Sequence, residues 1–531
     1  MTRIGGAPVL GQAQGDRYSA VPVTDPRGRA RVRWGDLLAG LDGPGGLGEL
    51  GRFELTGDPD VEVDAITHDS RRVEPGACFA CIPGARTDGH DHAPEAVARG
   101  AVALLVERPL PVAVSQARVP SVRAALGPLA ATLHGHPSAS MRVLGVTGTN
   151  GKTTTTYLLE AIGRRAGERV GVIGTVGARI AGEAVATEHT TPEASDLQAL
   201  LAYMRDNGAG TVAIEVSSHA LDQHRVDGVD FAAVCFTNLS REHLDYHGTL
   251  DAYFDAKALL FARERTPAAA INVDDTRGIE LVARARRERL DVWTYAVDDR
   301  SADLGVDAVA FGPRATRITL HDRRTDAGGR VDLSLVGPFN VANALAAAAT
   351  ARAAGYELDA VLAGLADPVV VPGRLERVDA GQPFAVLVDY AHTPDALARV
   401  LAASRPLAGP RGRVLCVFGC GGDRDPGKRP LMGEAVAAGA DVAVLTSDNP
   451  RSEDPRAIAD AVLPGLADAA EVRVELDRRA AIAGALADAA AGDVVVVAGK
   501  GHETGQTARG RTVPFDDRVV AREELEALGW S

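Results

Sequence analysis

The chain has 531 residues, 46% of them hydrophobic, 24% charged and 4% aromatic, which fits about three soluble globular domains. Its formal net charge of −14 argues against nucleic acid or an anionic membrane surface as partner, so any phosphate site must be a local basic spot. No apolar run approaches the roughly 20 residues of a membrane span, which excludes stable membrane insertion.

Residues 1–31 are rich in Gly, Pro and polar side chains and lack the apolar core of a signal peptide; a disordered tail on a cytoplasmic protein is expected. Residues 32–140 read as short strands and helices, with a Gly-, His- and Asp-rich loop at Gly84–His92 and a Pro-containing linker at His136–Ser140. Cys78 and Cys81 form a lone C-x-x-C. A zinc site needs a second pair or matching histidines, so reduced, buried thiols are the reading for all five cysteines.

Residues 141–366 change to a βαβ pattern. Apolar strands at Val143–Val146, Val212–Val216, Ala232–Thr237 and Ala268–Val273 alternate with helical runs such as Thr153–Arg165. The Ala-rich run Val341–Ala354 closes this region, and Asp322–Arg330 reads as a hairpin or insertion tip. In residues 367–531, strands at Ala385–Val388, Val414–Phe418, Val442–Thr446 and Val494–Ala498 are separated by helices such as Pro394–Ala403, predicting a second parallel sheet. The fold class is α/β with three domains.

The strand Val143–Val146 runs into Thr147-Gly148-Thr149-Asn150-Gly151-Lys152-Thr153-Thr154 and then a helix. Glycines let backbone N–H groups turn around phosphate oxygens; Lys152 would reach the β/γ-phosphates of ATP, and the Thr153 hydroxyl would bind Mg²⁺. The strict P-loop glycine five positions before Gly151 is Val146 here, so the loop is a variant. Glu215, at a predicted strand end, is a second Mg²⁺ candidate or else a helix-capping acid. His243 is a further candidate ligand, although spacing alone does not separate it from a structural histidine.

Only four of the 57 basic residues are lysines: Lys152, Lys257, Lys428 and Lys500. Arginine has no accessible neutral amine and cannot replace lysine where one is needed. All four lie inside motif-like segments.

Those segments identify the chain as similar to the Mur ligases from about residue 32 onward. They are GTNGKTT, EVSSHAL (Glu215–Leu221), TNLSREHLDYHG (Thr237–Gly248), YFDAK (Tyr253–Lys257), INVDD (Ile271–Asp275), PGRLE (Pro372–Glu376), VDYAHTPD (Val388–Asp395), GCGGDRDPGKRP (Gly419–Pro430), DNPRSEDP (Asp448–Pro455) and GKGHE (Gly499–Glu503). The resemblance implies a UDP-precursor domain (32–140), a central ATP-binding P-loop domain (141–366) and a C-terminal Rossmann-like, amino-acid-binding domain (367–531). It implies ATP as co-substrate, two Mg²⁺ ions, an acyl-phosphate intermediate and a monomer working in peptidoglycan synthesis, and so in cell shape and division.

By the same resemblance, Lys257 would be carbamylated and hold the second Mg²⁺ with His243; a lysine capping a phosphate is the plainer reading. Asn272 would contact adenine, and Arg374 and Asp389 would reach the phosphates or ribose. Ser70, Thr87, Asp88 and Gly89 would face uridine. Thr190, Thr191, Ser217, Gln223 and Arg225 would bind the muramoyl dipeptide and its phosphates. Where the family has Asn before Thr-Thr this chain has His189, and the Asp before the metal histidine is Glu242.

Diaminopimelate differs from lysine by a distal carboxylate, which needs a fork-shaped cation. Arg451, in Asp448-Asn449-Pro450-Arg451, resembles the arginine of diaminopimelate-adding members, and Arg424 would be a second donor. Asn449 would hydrogen-bond both functional groups, Glu503 would take the distal ammonium, and Gly499 would line the pocket. A surface ion pair is the plainer reading of Arg451. Three alternatives stay open: the same chemistry with L-lysine or D-Ala-D-Ala, a folate- or cyanophycin-type polyglutamate ligase, and a P-loop switch that makes no bond.

Overall fold

The computed structural model describes residues 31–41, 52–84, 87–185, 189–312 and 315–530. The tail expected at 1–31 lies outside the described residues except for Arg31, and Ala85 and Arg86 of the Gly84–His92 loop lie outside them too.

Alternation builds the N-terminal sheet. Its strands run in the order Glu54–Thr56, Ser115–Arg118, Ala103–Val106, Ala77–Ala80, Ala65–Thr67. Cys78 and Ala80 face one way, against Trp34 and the helix Val122–Leu133; Ala77 and Phe79 face the other, against Ala93 and Ala96. This is the two-residue period of a strand with both faces covered. The expected linker is no loose tether: Pro137–Ser140 is a 3₁₀ turn, with Ser138 buried and its Oγ accepting from Asp230 N at 3.1 Å.

The central sheet has 11 strands. Seven successive strands are mutually parallel, in the order Val170–Gly174, Thr211–Glu215, Arg142–Thr147, Ala233–Phe236, Ala268–Asn272, Asp291–Tyr295, Leu304–Phe311. Registers Glu215↔Val146 and Phe236↔Thr147 bring the C-terminal ends of these strands to one edge, where open α/β sheets bind ligands. The sheet is mixed rather than wholly parallel. The hairpin Gly177–Val185 extends one side, and Thr316–Asp322 and Ala327–Leu333, each antiparallel to the strand before it, extend the other. The last two make the hairpin expected around Asp322–Arg330.

Helix Pro338–Ala353 packs Ala344, Ala346, Ala347 and Ala348, all fully buried, beside Leu158 and Ile162 of helix Lys152–Arg165. Small side chains let these helices and the sheet approach closely. Proline at the first turn starts this helix three residues earlier than apolar spacing alone indicated.

The C-terminal sheet runs Glu376–Arg377, Ala385–Asp389, Val494–Ala498, Val414–Phe418, Val442–Leu445, Val472–Val474, with only the first strand antiparallel. Val494–Ala498 lies inside it, with Val494 and Val496 in one core and Val495 and Val497 in the other. Burial on both faces explains its unbroken apolar run. The five cysteines are free, buried thiols. No helix among the described residues is long and apolar enough to cross a membrane.

Candidate active site

The loop after strand Arg142–Thr147 is built on two glycines with positive φ: Gly148 at +145° and Gly151 at +89°. A Cβ on Gly148 would sit 1.9 Å from Thr237 Oγ1, and one on Gly151 would sit 2.3 Å from Asn343 Oδ1. Asn238 braces the loop, accepting from Thr149 N (2.8 Å) through its carbonyl and from Asn150 N (3.0 Å) through its side chain. Lys152 opens the following helix, with buried Thr153 and Thr154 behind it. Its Nζ donates to Gly148 O and Thr149 O, both at 2.9 Å. Thr147 Oγ1 is buried without a partner among the described residues.

Lys257, 1% exposed, comes from helix Leu250–Ala258 and donates its Nζ to Gly148 O at 3.0 Å. Burial drives its pKa well below the ordinary lysine value, and the neighbouring Lys152 charge adds to the shift. Burial lowers Lys152 as well, against the pull of Glu242 and Glu215.

Glu215 ends its strand, 1% exposed, and accepts from Thr175 N (2.9 Å) and Thr175 Oγ1 (3.0 Å). His243 adopts φ +56° at the cap of helix Leu244–His247, with Nε2 3.7 Å from Glu242 Oε2. Burial depresses its pKa, so the imidazole keeps a free lone pair. For Glu242, burial works upward, but nearby positive charge, that of Lys152 included, outweighs it and lowers the pKa. His219 stacks edge-on to His243 at 4.8 Å. Among the described residues no three His, Cys, Asp or Glu side chains form a closed metal cage. A hydroxyl, carboxylates and a neutral imidazole beside a phosphate cradle nevertheless suit Mg²⁺, which takes one or two protein carboxylates and completes its shell with phosphate and water.

The C-terminal domain reaches this edge. Asn150 Nδ2 donates to Asp395 Oδ2 at 3.3 Å. Arg374 lies 4.8 Å from the Tyr390 ring centroid, and its Nε is buried without a described partner. Asp389 accepts from Leu375 N (2.7 Å) and Ala391 N (2.8 Å), which fixes the turn carrying Arg374. Asn272 ends its strand, donating to Thr237 O at 2.8 Å and accepting from Asp274 N at 3.0 Å.

The expected precursor residues fall in two groups. Arg225 gathers one: it donates to Gln223 Oε1 (2.7 Å) and Thr191 O (3.1 Å) and pairs with Glu193 (3.0 Å). Fully buried Thr191 donates to Glu215 O at 2.7 Å and accepts from Ser217 N at 3.2 Å, tying this cluster to the end of the Glu215 strand. Thr190 Oγ1 lies 3.3 Å from Thr175 Oγ1, and His189 is exposed. The second group sits on the N-terminal sheet: Ser70 donates to Glu95 (3.4 Å), and Asp88 caps the turn Gly89–His92 beside Thr87.

The third cluster joins the Asp448–Arg451 loop to the Gly499–Glu503 loop. Asn449 Nδ2 donates to Glu503 Oε2 at 2.8 Å. A Cβ on Gly499 (φ +118°) would lie 3.0 Å from Asp448 Oδ2. Arg451 has φ +54° and donates Nη1 to Gly422 O at 2.6 Å. No described residue accepts from its Nε or Nη2. Arg424 is exposed; a Cβ on Gly421 would lie 2.9 Å from Arg451 Nη1 and 3.8 Å from Arg424 Cγ, so the two arginines flank one glycine. Pro450 O crowds Gly422, where a Cβ would come within 1.9 Å.

Sequence reasoning assigned no role to Thr175, Asn238, Tyr253, Asp395 or Lys500. The scarcity of lysine was the available signal for Lys500, and Asn238, Tyr253 and Asp395 lie inside the motif segments; Thr175 carries no such signal.

A phosphate cradle on a parallel sheet, with lysines, carboxylates and a neutral imidazole around it and a second α/β domain closing over it, defines a P-loop nucleotide-dependent enzyme. Family models agree: the Mur ligase family catalytic domain matches residues 62–134, the Mur ligase middle domain 146–351 and the Mur ligase glutamate ligase domain 373–501. A UDP-N-acetylmuramoyl-L-alanyl-D-glutamate–2,6-diaminopimelate ligase of Streptomyces coelicolor is 48% identical over 482 residues, 88% of this chain and 94% of that protein. A solved structure bearing the same enzyme name matches with a TM-score of 0.68 and 33% identity, over 94% of this chain and 100% of that one. A folylpolyglutamate synthase of Mycobacterium tuberculosis shares the fold at TM-score 0.58 and 21% identity, over 76% of this chain and 94% of that one. The chain belongs to the Mur ligase family of ATP-dependent amide ligases.

Proposed function

We propose that this chain joins diaminopimelate to UDP-N-acetylmuramoyl-L-alanyl-D-glutamate at the expense of ATP, a cytoplasmic step of peptidoglycan synthesis. The near-full-length similarity to the Streptomyces coelicolor ligase supports the substrate pair. Within the chain, Arg451 carries the reading: its Nε and Nη2 are uncommitted, and Asn449 and Glu503 join the same loop pair.

A carboxylate resists amine attack because its leaving group would be oxide. Transfer of the γ-phosphoryl group makes it an acyl phosphate and releases ADP; the amine then forms the amide and releases phosphate. Lys152 and the Gly148–Gly151 loop would hold the phosphates and offset their charge. Thr153, Glu215, His243 and a carbamylated Lys257 would hold two Mg²⁺ ions, which would supply further charge neutralisation. Asn272 would meet adenine, and Arg374 and Asp389 would meet the phosphates or ribose. Ser70 and Thr87–Gly89 would hold the uridine end of the precursor. Thr190, Thr191, Ser217, Gln223 and Arg225 would hold its dipeptide end, with the terminal carboxylate turned toward the cradle. One chain supplies every pocket, consistent with action as a monomer.

Arg451, with Arg424 beside it, would grip the distal carboxylate of diaminopimelate, and Glu503 the distal ammonium. The test is ADP release by purified enzyme supplied with the UDP-dipeptide and, separately, meso-diaminopimelate, LL-diaminopimelate and L-lysine, with the product identified by mass spectrometry. Release that needs both the precursor and a diaminopimelate isomer supports the reading. Equal turnover with L-lysine, or turnover without the UDP-precursor, overturns it.

A further inference from the structure

Lys500 is fully buried, and its ammonium joins its own stretch, Glu503–Gly505, to the separate loop that carries Asn449. Nζ donates to Asn449 Oδ1 at 3.3 Å, to Glu503 Oε2 at 3.3 Å and to Gly505 O at 2.6 Å, with Asp448 Oδ1 at 3.9 Å. Gly505 begins the hairpin Gly505–Ala508/Arg511–Pro514. This hairpin then runs beside the loop that carries Arg451. Arg451 N donates to Thr507 O at 2.9 Å, Arg509 N donates to Arg451 O at 2.6 Å, and Arg451 and Ala508 form an isolated parallel bridge. Gln506 Nε2 donates to Asp448 O, and Thr507 N donates to Asn449 Oδ1, at 2.8 and 2.9 Å. The left-handed backbone of Arg451 is therefore clamped from the hairpin side.

The charges are graded from inside to outside. Arg478 and Asp517, both with fully buried side chains, pair at 2.7 Å beneath the site, and Arg478 also donates to Ala498 O and Ser447 O. Lys500 lies above them with its side chain 0% exposed, while the Glu503 side chain is 35% exposed. Glu503 Oε2 is occupied by Lys500 and Asn449, and no described residue donates to Oε1. Three carboxylates, Asp448, Glu503 and Asp517, face two cations, Lys500 and Arg478. The Glu503 carboxylate is the open end of this cluster, which suits an arriving ammonium group.

We infer that Lys500 is a positioning residue for the incoming amino acid: its buried ammonium sets the Glu503 carboxylate and ties down the hairpin that holds Arg451. It does so without touching the substrate. The inference rests on the diaminopimelate reading given above. It also explains why lysine is kept here in an arginine-rich chain. A compact ammonium with three divergent donors fits three acceptors on two segments, whereas a planar guanidinium does not.

The test compares wild-type enzyme with Lys500→Met and Gln506→Leu in full-length protein. Lys500→Met removes the ammonium at similar length. Gln506→Leu loosens the hairpin from Asp448 and leaves Lys500 in place. Both are expected to raise KM for diaminopimelate by about tenfold or more and to narrow the preference over L-lysine, while KM for ATP and for the UDP-dipeptide stays within roughly twofold. A merely structural role would lower Tm and the amount of active enzyme but leave these ratios unchanged. Folded Lys500→Met with wild-type KM for diaminopimelate overturns the inference. If Lys500→Met does not fold, wild-type KM in Gln506→Leu overturns it instead. The wild-type control separates the two readings: no diaminopimelate-dependent product from wild type refutes the substrate assignment itself, whereas normal wild-type turnover with unaffected variants refutes only the role of Lys500.

Discussion

Lys152 and Lys257 donate to the same atom, the carbonyl oxygen of Gly148, at 2.9 and 3.0 Å. Two ammonium groups converging on one carbonyl repel each other, and burial disfavours both charges. Burial lowers both pKa values, at Lys257 well below the ordinary lysine value, and so favours the neutral form there.

A neutral buried amine is a nucleophile for CO₂. Carbamylation would exchange an unfavourable cation for an anion beside Lys152. Enzyme handled free of CO₂ is expected to lose activity and to regain it on adding bicarbonate, with a carbamate signal from ¹³C-bicarbonate in the NMR spectrum. Lys257→Arg keeps a positive charge but cannot form the carbamate, and should be as inactive as Lys257→Ala. Wild-type turnover in Lys257→Arg would falsify the assignment.

Replacing Lys152 should slow phosphoryl transfer itself. Lys152→Ala is expected to reduce kcat about 10²–10³-fold, the usual loss when one preorganised donor to developing charge is removed. Lys152→Arg should not restore it, because the loop geometry admits a point charge and not a fork. Single-turnover ADP formation checks this, and a rate near wild type in either variant contradicts it.

Arg451→Ala should weaken diaminopimelate use by about 1.5–3 kcal/mol, roughly 10- to 150-fold in kcat/KM, as for a lost hydrogen bond to a charged group. Affinity for ATP should not change. Steady-state kinetics with each substrate varied in turn will show whether the loss is confined to the amino acid.

The pair Arg478–Asp517 should matter for stability. Asp517→Asn leaves a buried guanidinium without its counter-charge, a change expected to be destabilising by about 3–5 kcal/mol. Thermal and denaturant unfolding measure this, and a variant as stable as wild type would show that Arg478 is compensated elsewhere.

Acid sensitivity should include a term from His502. Burial, helped by Arg374 and Arg518, lowers its pKa from 6.5 to about 4. A histidine depressed in the folded state binds its proton better when unfolded, so its contribution is fully present above pH 6.5 and fades as the pH falls toward 4. His502→Phe cannot take up that proton, and its Tm should fall less steeply than that of wild type over this interval. Parallel Tm–pH curves for the two proteins would exclude the linkage.

Much of this architecture can be read from local pattern. The strands at Val414–Phe418 and Val494–Ala498 match the apolar runs residue for residue, because burial on both faces leaves no polar interruption. The strand Leu304–Phe311 escaped notice because exposed residues such as Asp307 interrupt its apolar signal. The cradle was legible because its two positive-φ glycines, the lysine and the threonines lie together in one short stretch between a strand and a helix. Tyr253, whose hydroxyl lies 3.3 Å from Thr149 Oγ1 across 104 positions, and Asp395, which meets Asn150 across 245, were not. Contacts between distant segments leave no trace in spacing.

The single hydrogen bond between Asn150 and Asp395 has a mechanical consequence. It makes the rim of the Gly148–Lys152 loop from two domains, the central one and the C-terminal one. A ligand that favours their docked arrangement favours the nucleotide by the same factor, and the nucleotide returns the preference. Loss of this contact in Asp395→Ala would remove that reciprocal preference.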